Sequence, residues 1–261
     1  MKKSSLLNIL FRWKPQKLAL TGFTVGIAIV LLSVAIIYVR GNIYLSIIIR
    51  DILMILLFGI GIPLFIIKKE NNLKAYGLHL KRWYIYLPVN LLLGVLLLLM
   101  LLKESPLPSN FSLTKDMIWK IIYIMFTGIF ETIAFYSFIR TAIERSFGII
   151  PALLVAAVFY SFHHAGFQPE YGKLLLVGIL YASIFRIGNS SLLIYPFFWG
   201  AGACYDVLIQ SKAVSEIEYP QIRSVILFIG ICLIAIFLMI KMRAQPAVKN
   251  SDKSRKDRKG E

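Results

Sequence analysis

Apolar residues run along this chain in long blocks. Eight stretches, near residues 18–39, 44–67, 84–102, 117–139, 147–163, 172–186, 191–210 and 223–241, carry almost no charge and are separated by short polar or basic segments. A helix of about 20 apolar residues, within a range of roughly 17–25, crosses the hydrocarbon core of a bilayer. The pattern therefore predicts an all-α fold, a polytopic membrane helix bundle of about eight transmembrane helices, of which the sixth (KLLLVGILYASIFRI) is the shortest. No internal repeat and no long linker divides the chain, so residues 1–243 read as one transmembrane domain. The basic, aromatic-free stretch 244–261 reads as a disordered cytoplasmic tail. The first apolar run is too long for a signal-peptide core, and SVAIIYVRGN offers no small-residue cleavage site, which predicts a retained anchor. Between the second and third runs, KKENNLKAYGLHLKRW predicts a short amphipathic piece that turns Leu73, Tyr76, Leu78 and Leu80 to the interface.

Composition sharpens the membrane reading: 58% of the residues are hydrophobic, against about 45–50% in soluble domains. The formal charge of +16 would point to nucleic acid in a soluble protein, but here the basic residues gather in alternate loops. Lys2, Lys3, Arg12, Lys14 and Lys17 precede the first run; Lys68, Lys69, Lys74, Lys81 and Arg82 follow the second; Arg140 and Arg145 follow the fourth, Arg186 the sixth, and the tail is rich in lysine. The intervening loops carry only Arg40, Lys103, Lys115, Lys173, Lys212 and Arg223. The positive-inside rule then places both termini in the cytoplasm, which needs an even number of spans. The implied partners are membrane lipids and not nucleic acid, and the implied location is the cytoplasmic membrane. Cys204 and Cys232 both fall in apolar runs and read as small hydrophobes.

Among the titratable residues in or at the ends of these runs, Glu131, His163 and His164 stand out. A charge near the bilayer centre costs about 2.5–3.5 kcal/mol even on lenient scales, so such residues face the protein interior and mark function. On a helix, residues four apart share a face, which sets Glu131 with Phe135 and Phe159 with His163. Two neighbouring helices then present a carboxylate and an imidazole to one aromatic-walled cavity. A desolvated carboxylate is a competent general base and an imidazole can donate to a developing oxyanion, a combination suited to attack of water on a peptide carbonyl. The plainer alternative is a polar pair that locks two helices. A divalent metal is the weaker expectation, because adjacent residues on a helix point about 100° apart, which makes His163 and His164 poor joint ligands, and the third histidine, His79, is remote. Arg50, inside the second run, is expected to snorkel outward or to pair with Asp51, or else to serve as partner of Glu131.

The order of these features resembles the CPBP family, the CAAX-protease and bacteriocin-processing intramembrane proteases, over residues 70–211. The residues that carry the resemblance are the AYGLHLKRW segment, Glu131 with Phe135 four residues on, FYSFH from Phe159 to His163, the RIGNSS turn, and the helix opened by Pro196, with the motif-bearing core at about 116–211. The family motifs are EExxxR, FxxxH, and HxxxN or HxxxD. Here Thr132 stands in place of the second glutamate, Tyr136 in place of the arginine, and no histidine follows His164; the third motif is reduced to Asp206, with Gly202 at the histidine position, or to Cys204, with Gly200 there. The resemblance implies an endopeptidase acting on membrane-tethered or lipidated peptides, with Glu131 activating water and His163 holding the scissile carbonyl. Thr132, Phe135, Tyr136, Phe159, His164, Asp206 and Arg50 are the supporting candidates. The lost motif residues leave a pseudoprotease, a peptide-binding or bacteriocin-immunity factor, as the alternative. A transporter is the third class, without the paired interrupted segments that such a fold would show.

Overall fold

A computed structural model of the chain describes residues 6–109, 111–209 and 215–243, with only the backbone of 242 and 243. The tail from 244 onward and Lys212 lie outside the described residues. Each of the eight apolar runs contains a helix: α1 Lys17–Tyr38, α2 Ile43–Lys69, α3 Trp83–Glu104, α4 Lys115–Phe147, α5 Ile149–Phe162, α6 Tyr171–Gly188, α7 Phe197–Leu208 and α8 Pro220–Arg243. There is no strand among the described residues, and the fold is an all-α bundle. Six of the helices, all but α5 and α7, are long and apolar enough to cross a membrane. Outer faces of α3 and α8 expose leucine, isoleucine and phenylalanine side chains along their length, as a lipid-facing surface requires.

The lengths correct the sequence expectation. Helix α6, expected to be the shortest, has 18 residues, while α5 has 14 and α7 has 12. At 1.5 Å per residue the last two reach only about 21 and 18 Å, short of a core about 30 Å thick. Helix α5 gives way to a turn at His163, and α7 begins only after Pro196, which cannot continue a helix from the preceding residues. In the opposite sense α4 runs to 33 residues. Arg140 and Arg145, expected in a loop, therefore lie in its last turns. Arg140 is 3% exposed; its Nε donates to the Tyr136 carbonyl at 2.8 Å and its guanidinium pairs with Glu144. Gly148 stops the helix at φ +90°, where a Cβ would sit 2.6 Å from the Leu10 carbonyl oxygen.

Helix α4 occupies the centre of the bundle, packed by α2, α5, α7 and α8. Both α2 and α4 contain wider-wound π-helical stretches, over Ile47–Gly61 and Thr132–Ile139, in which N–H groups bond five residues back, as Arg140 does to Phe135. Such windings are rare and concentrate at functional sites; here one carries Arg50 and Asp51 and the other begins directly after Glu131. Asp51 does not pair with Arg50. It is fully buried, accepts from the Tyr123 hydroxyl at 2.7 Å and meets Arg223 Nε at 3.2 Å. Arg223, expected in an outer loop, lies in the first turn of α8 and is 3% exposed. Tyr76, expected at the membrane interface, is fully buried, and its hydroxyl donates to Glu70 at 2.7 Å.

Candidate functional site

Glu131 is the last residue of α4 before the wider winding and is 4% exposed. Its Oε2 accepts from the Trp199 indole N–H at 2.7 Å. Its Oε1 lies 3.3 Å from His163 Nε2 and 3.9 Å from His164 Nε2. The histidines reach it because α5 has already ended. From His163 (φ −67°, ψ −11°) the chain folds through a turn, in which His164 N–H bonds to the Ser161 carbonyl, Ala165 N–H to the Phe162 carbonyl and Phe167 N–H to the His164 carbonyl. Gly166 N–H donates to Ser33 Oγ of α1 and anchors the turn. Off the helix, the two rings are no longer splayed: their centroids are 3.9 Å apart. The sequence argument against joint ligation thus fails, since it assumed a helix that the turn replaces.

Both imidazoles present Nδ1 to one acceptor, the Tyr160 carbonyl oxygen, His164 at 2.8 Å and His163 more closely. A carbonyl oxygen only accepts, so each Nδ1 carries hydrogen, and in the neutral ring Nε2 is a bare lone pair. Two such lone pairs face one carboxylate oxygen. The arrangement demands a cation among the three atoms, whether a proton or a metal ion, because three acceptors at this spacing repel.

Around the cluster the expected residues divide. Phe135 packs against His163 at 4.7 Å between centroids, joined by Phe130 at 5.5 Å, and Phe167 lies tilted against His164 at 5.1 Å. Phe159 is not part of the wall; its ring fills the space over Gly26 and meets Phe23 of α1 at 6.2 Å. The four-residue relation to His163 breaks where the helix ends, and Tyr160 takes the place at the site. Tyr136 is fully buried against Tyr160 and Tyr181, at 5.6 and 6.0 Å. Thr132 is 3% exposed, its hydroxyl without a hydrogen-bond partner among the described residues. Arg50 makes no ion pair to Glu131 or Asp51 among the described residues; its guanidinium lies 4.4 Å over the Phe167 ring and 5.3 Å over Tyr123.

A cavity of about 160 Å³ begins at Glu131 and His164 and runs past Arg50 to Lys173 and Asp206. His164 lines it and His163 does not, so the cavity-facing imidazole is the one that the sequence ranked second. Asp206 stands at the far end of this cavity, held by Lys173 at 3.1 Å and by Gln168 at 3.4 Å, away from the cluster. Gly202 lines the same cavity, whereas Gly200 and Cys204 face grooves against Leu98 of α3.

Besides Tyr160 and the aromatic wall residues Phe130 and Phe167, two polar side chains escaped the sequence reading. Trp199 reaches Glu131 because Gly128 leaves room: a Cβ there would fall 2.5 Å from the indole ring. Asn90 of α3, fully buried, accepts from the N–H groups of Phe197 and Phe198 at 2.8 and 2.9 Å and donates to the Leu192 carbonyl at 2.9 Å. It caps α7 and so sets the height of Trp199. A lone asparagine in an apolar run was its only signal. Comparison with family models, curated proteins and solved structures gave no match to this chain, so function is argued from the geometry.

Proposed function

We propose that this chain is a membrane-embedded hydrolase of the CPBP peptidase type, acting on a membrane-tethered or lipidated peptide. The observation that carries the reading is the buried Glu131 carboxylate lining a cavity inside the bundle together with the His164 imidazole, 3.9 Å away. Glu131 takes one proton from a cavity water as its oxygen adds to the scissile carbonyl carbon. His164 faces the cavity, and a proton on its Nε2 would serve the oxygen on which charge grows. As the C–N bond breaks, the proton on Glu131 passes to the leaving nitrogen. His163 stands beside Glu131 outside the cavity lining, and Trp199 fixes the second carboxylate oxygen.

A second reading, a peptide-binding protein that does not cut, is favoured by Asp206, whose carboxylate is engaged by Lys173 and supplies nothing to the cluster. Purified protein in proteoliposomes, incubated with prenylated and membrane-tethered peptides, separates the two. Glu131→Gln and His164→Ala should each abolish product while the protein stays folded, because a base and a carbonyl donor act as one unit. Equal product from wild type and Glu131→Gln would remove the hydrolase assignment of this site.

A further inference from the structure

We propose that Arg12, Arg140, Arg145 and Arg186 form a binding site for one anionic phosphate group, carried by a phospholipid headgroup or by a soluble phosphate ester. The four line a cavity of about 420 Å³ together with Thr141, Glu144 and Asn189, and none of these residues lines the cavity at Glu131. Such a site is independent of any hydrolysis at Glu131.

The sequence scatters these arginines. Arg12 precedes α1, Arg140 and Arg145 lie in the last turns of α4, and Arg186 lies in the last turn of α6; the fold brings all four to one opening. Arg12 is placed by its backbone, whose N–H donates to the Phe147 carbonyl at 3.0 Å, while Lys14 N–H donates to the Ser146 carbonyl at 2.8 Å and Trp13 packs on Phe147 at 5.2 Å between centroids. Gathering like charges calls for compensation, and here it is incomplete. Glu144 accepts from both Arg140 and Arg186, one carboxylate for two guanidinium groups, and Glu70 accepts from Arg145. Arg12 makes no ion pair among the described residues. Four cations thus meet two carboxylates, and a phosphate supplies the missing negative charge.

The guanidinium groups are also held ready. The Arg140 side chain, 4% exposed, donates from Nε to the Tyr136 carbonyl and from Nη2 to Thr141 Oγ1 at 2.9 Å, and the Arg145 guanidinium lies 4.8 Å over the Tyr76 ring. A guanidinium carries more N–H donors than these contacts use, so donors remain for an oxyanion. Its planar fork matches phosphate oxygens in pairs, and a fork already fixed loses little freedom on binding. The Arg186 side chain, 38% exposed, forms the rim above the buried floor at Arg140. The neighbouring chain sets this opening at headgroup depth: the helix Leu6–Leu10 buries none of its residues, and Trp13 is 81% exposed. Apolar and aromatic side chains so exposed belong at a membrane interface, where basic pockets between helix ends take anionic headgroups.

The test uses the full chain in a neutral detergent at about 0.15 M salt, which screens diffuse attraction beyond about 8 Å. Thermal unfolding is followed while dioleoyl phosphatidylglycerol or glycerol 3-phosphate is titrated, since a ligand of the folded state raises the midpoint. The expected result is a saturable rise whose apparent affinity falls at least tenfold in the double variant Arg12→Gln, Arg186→Gln. It should be unchanged in Lys81→Gln, which removes an exposed charge outside the cavity. Arg12→Gln alone, several-fold weaker, serves if the double variant fails to fold, because the Arg12 side chain holds no partner among the described residues. A rise with phosphatidylglycerol alone makes the ligand a lipid; an equal rise with glycerol 3-phosphate makes it a soluble ester, and both outcomes support the site. No rise with either compound, wild-type affinity in the arginine variants, or equal weakening by Lys81→Gln overturns it in favour of a diffuse basic surface.

Discussion

At the scale of single residues, the site is defined by what each buried polar atom can find. Glu131 was legible in the sequence because a carboxylate in an apolar run has no ordinary use, and the same logic marked His163 and His164. Trp199 was not, since tryptophan belongs in such runs, and only the structure shows its N–H on Glu131 Oε2. Trp199→Phe should therefore destabilise the protein by about 1–3 kcal/mol, the cost of leaving a desolvated acceptor unpaired, read as a lower midpoint in thermal unfolding in detergent. Unchanged stability would mean that water replaces the indole. The pair Asp51 and Arg223 makes a second residue-scale case, both buried and 3.2 Å apart. Asp51→Ala strands the guanidinium and should cost about 3–5 kcal/mol, with part of the loss recovered in the double variant Asp51→Ala, Arg223→Leu. Additive losses in the double variant would show that the two do not act as a pair.

At the scale of elements, hydropathy located each of the helices α1 to α8 but neither the short Leu6–Leu10 helix nor where helices stop. A run of apolar residues carries no mark of a turn, so α5 was read through His163 and the ring directions were drawn on a helix that had already ended. Conversely, Arg140 and Arg145 read as loop residues, whereas α4 carries them because Glu144 and Glu70 neutralise them in place. The positions of α7 and Trp199 depend on Asn90, whose side chain closes three backbone bonds across to a neighbouring helix segment. Asn90→Leu leaves two N–H groups and one carbonyl unsatisfied, about 1–3 kcal/mol for each that finds no water. The expected outcome is faster hydrogen exchange at Phe197 and Phe198, with α5 unaffected. Equal protection in the variant would show that Pro196 and packing alone start the helix.

At the scale of the whole molecule, interactions tie the loops into two opposite ends. At one, Arg145 meets Glu70 at 2.6 Å, Arg186 meets Glu144 at 3.2 Å, and Asn189 donates to the Lys74 carbonyl at 2.9 Å. At the other, Arg40 donates to the Gly166 carbonyl at 2.9 Å, Ser215 N–H to the Phe167 carbonyl at 2.8 Å, and Lys173 holds Asp206. The first end collects most of the basic residues outside the tail, and the positive-inside rule predicts that it faces the cytoplasm. The cavity that starts at Glu131 runs toward Lys173, Asp206 and Ser215, at the other end. On the proposed hydrolase reading and this predicted orientation, substrate is expected to enter from the non-cytoplasmic face, as a peptide tethered at the outer leaflet rather than a cytoplasmic lipidated tail. With Cys204 and Cys232 replaced, a cysteine placed at Lys173 should react in intact cells with a membrane-impermeant maleimide, and one at Lys69 should react only after lysis. Reaction at position 69 but not at 173 would invert the molecule in the membrane, turn the cavity mouth to the cytoplasm, and restore cytoplasmic lipidated peptides as the substrates to test.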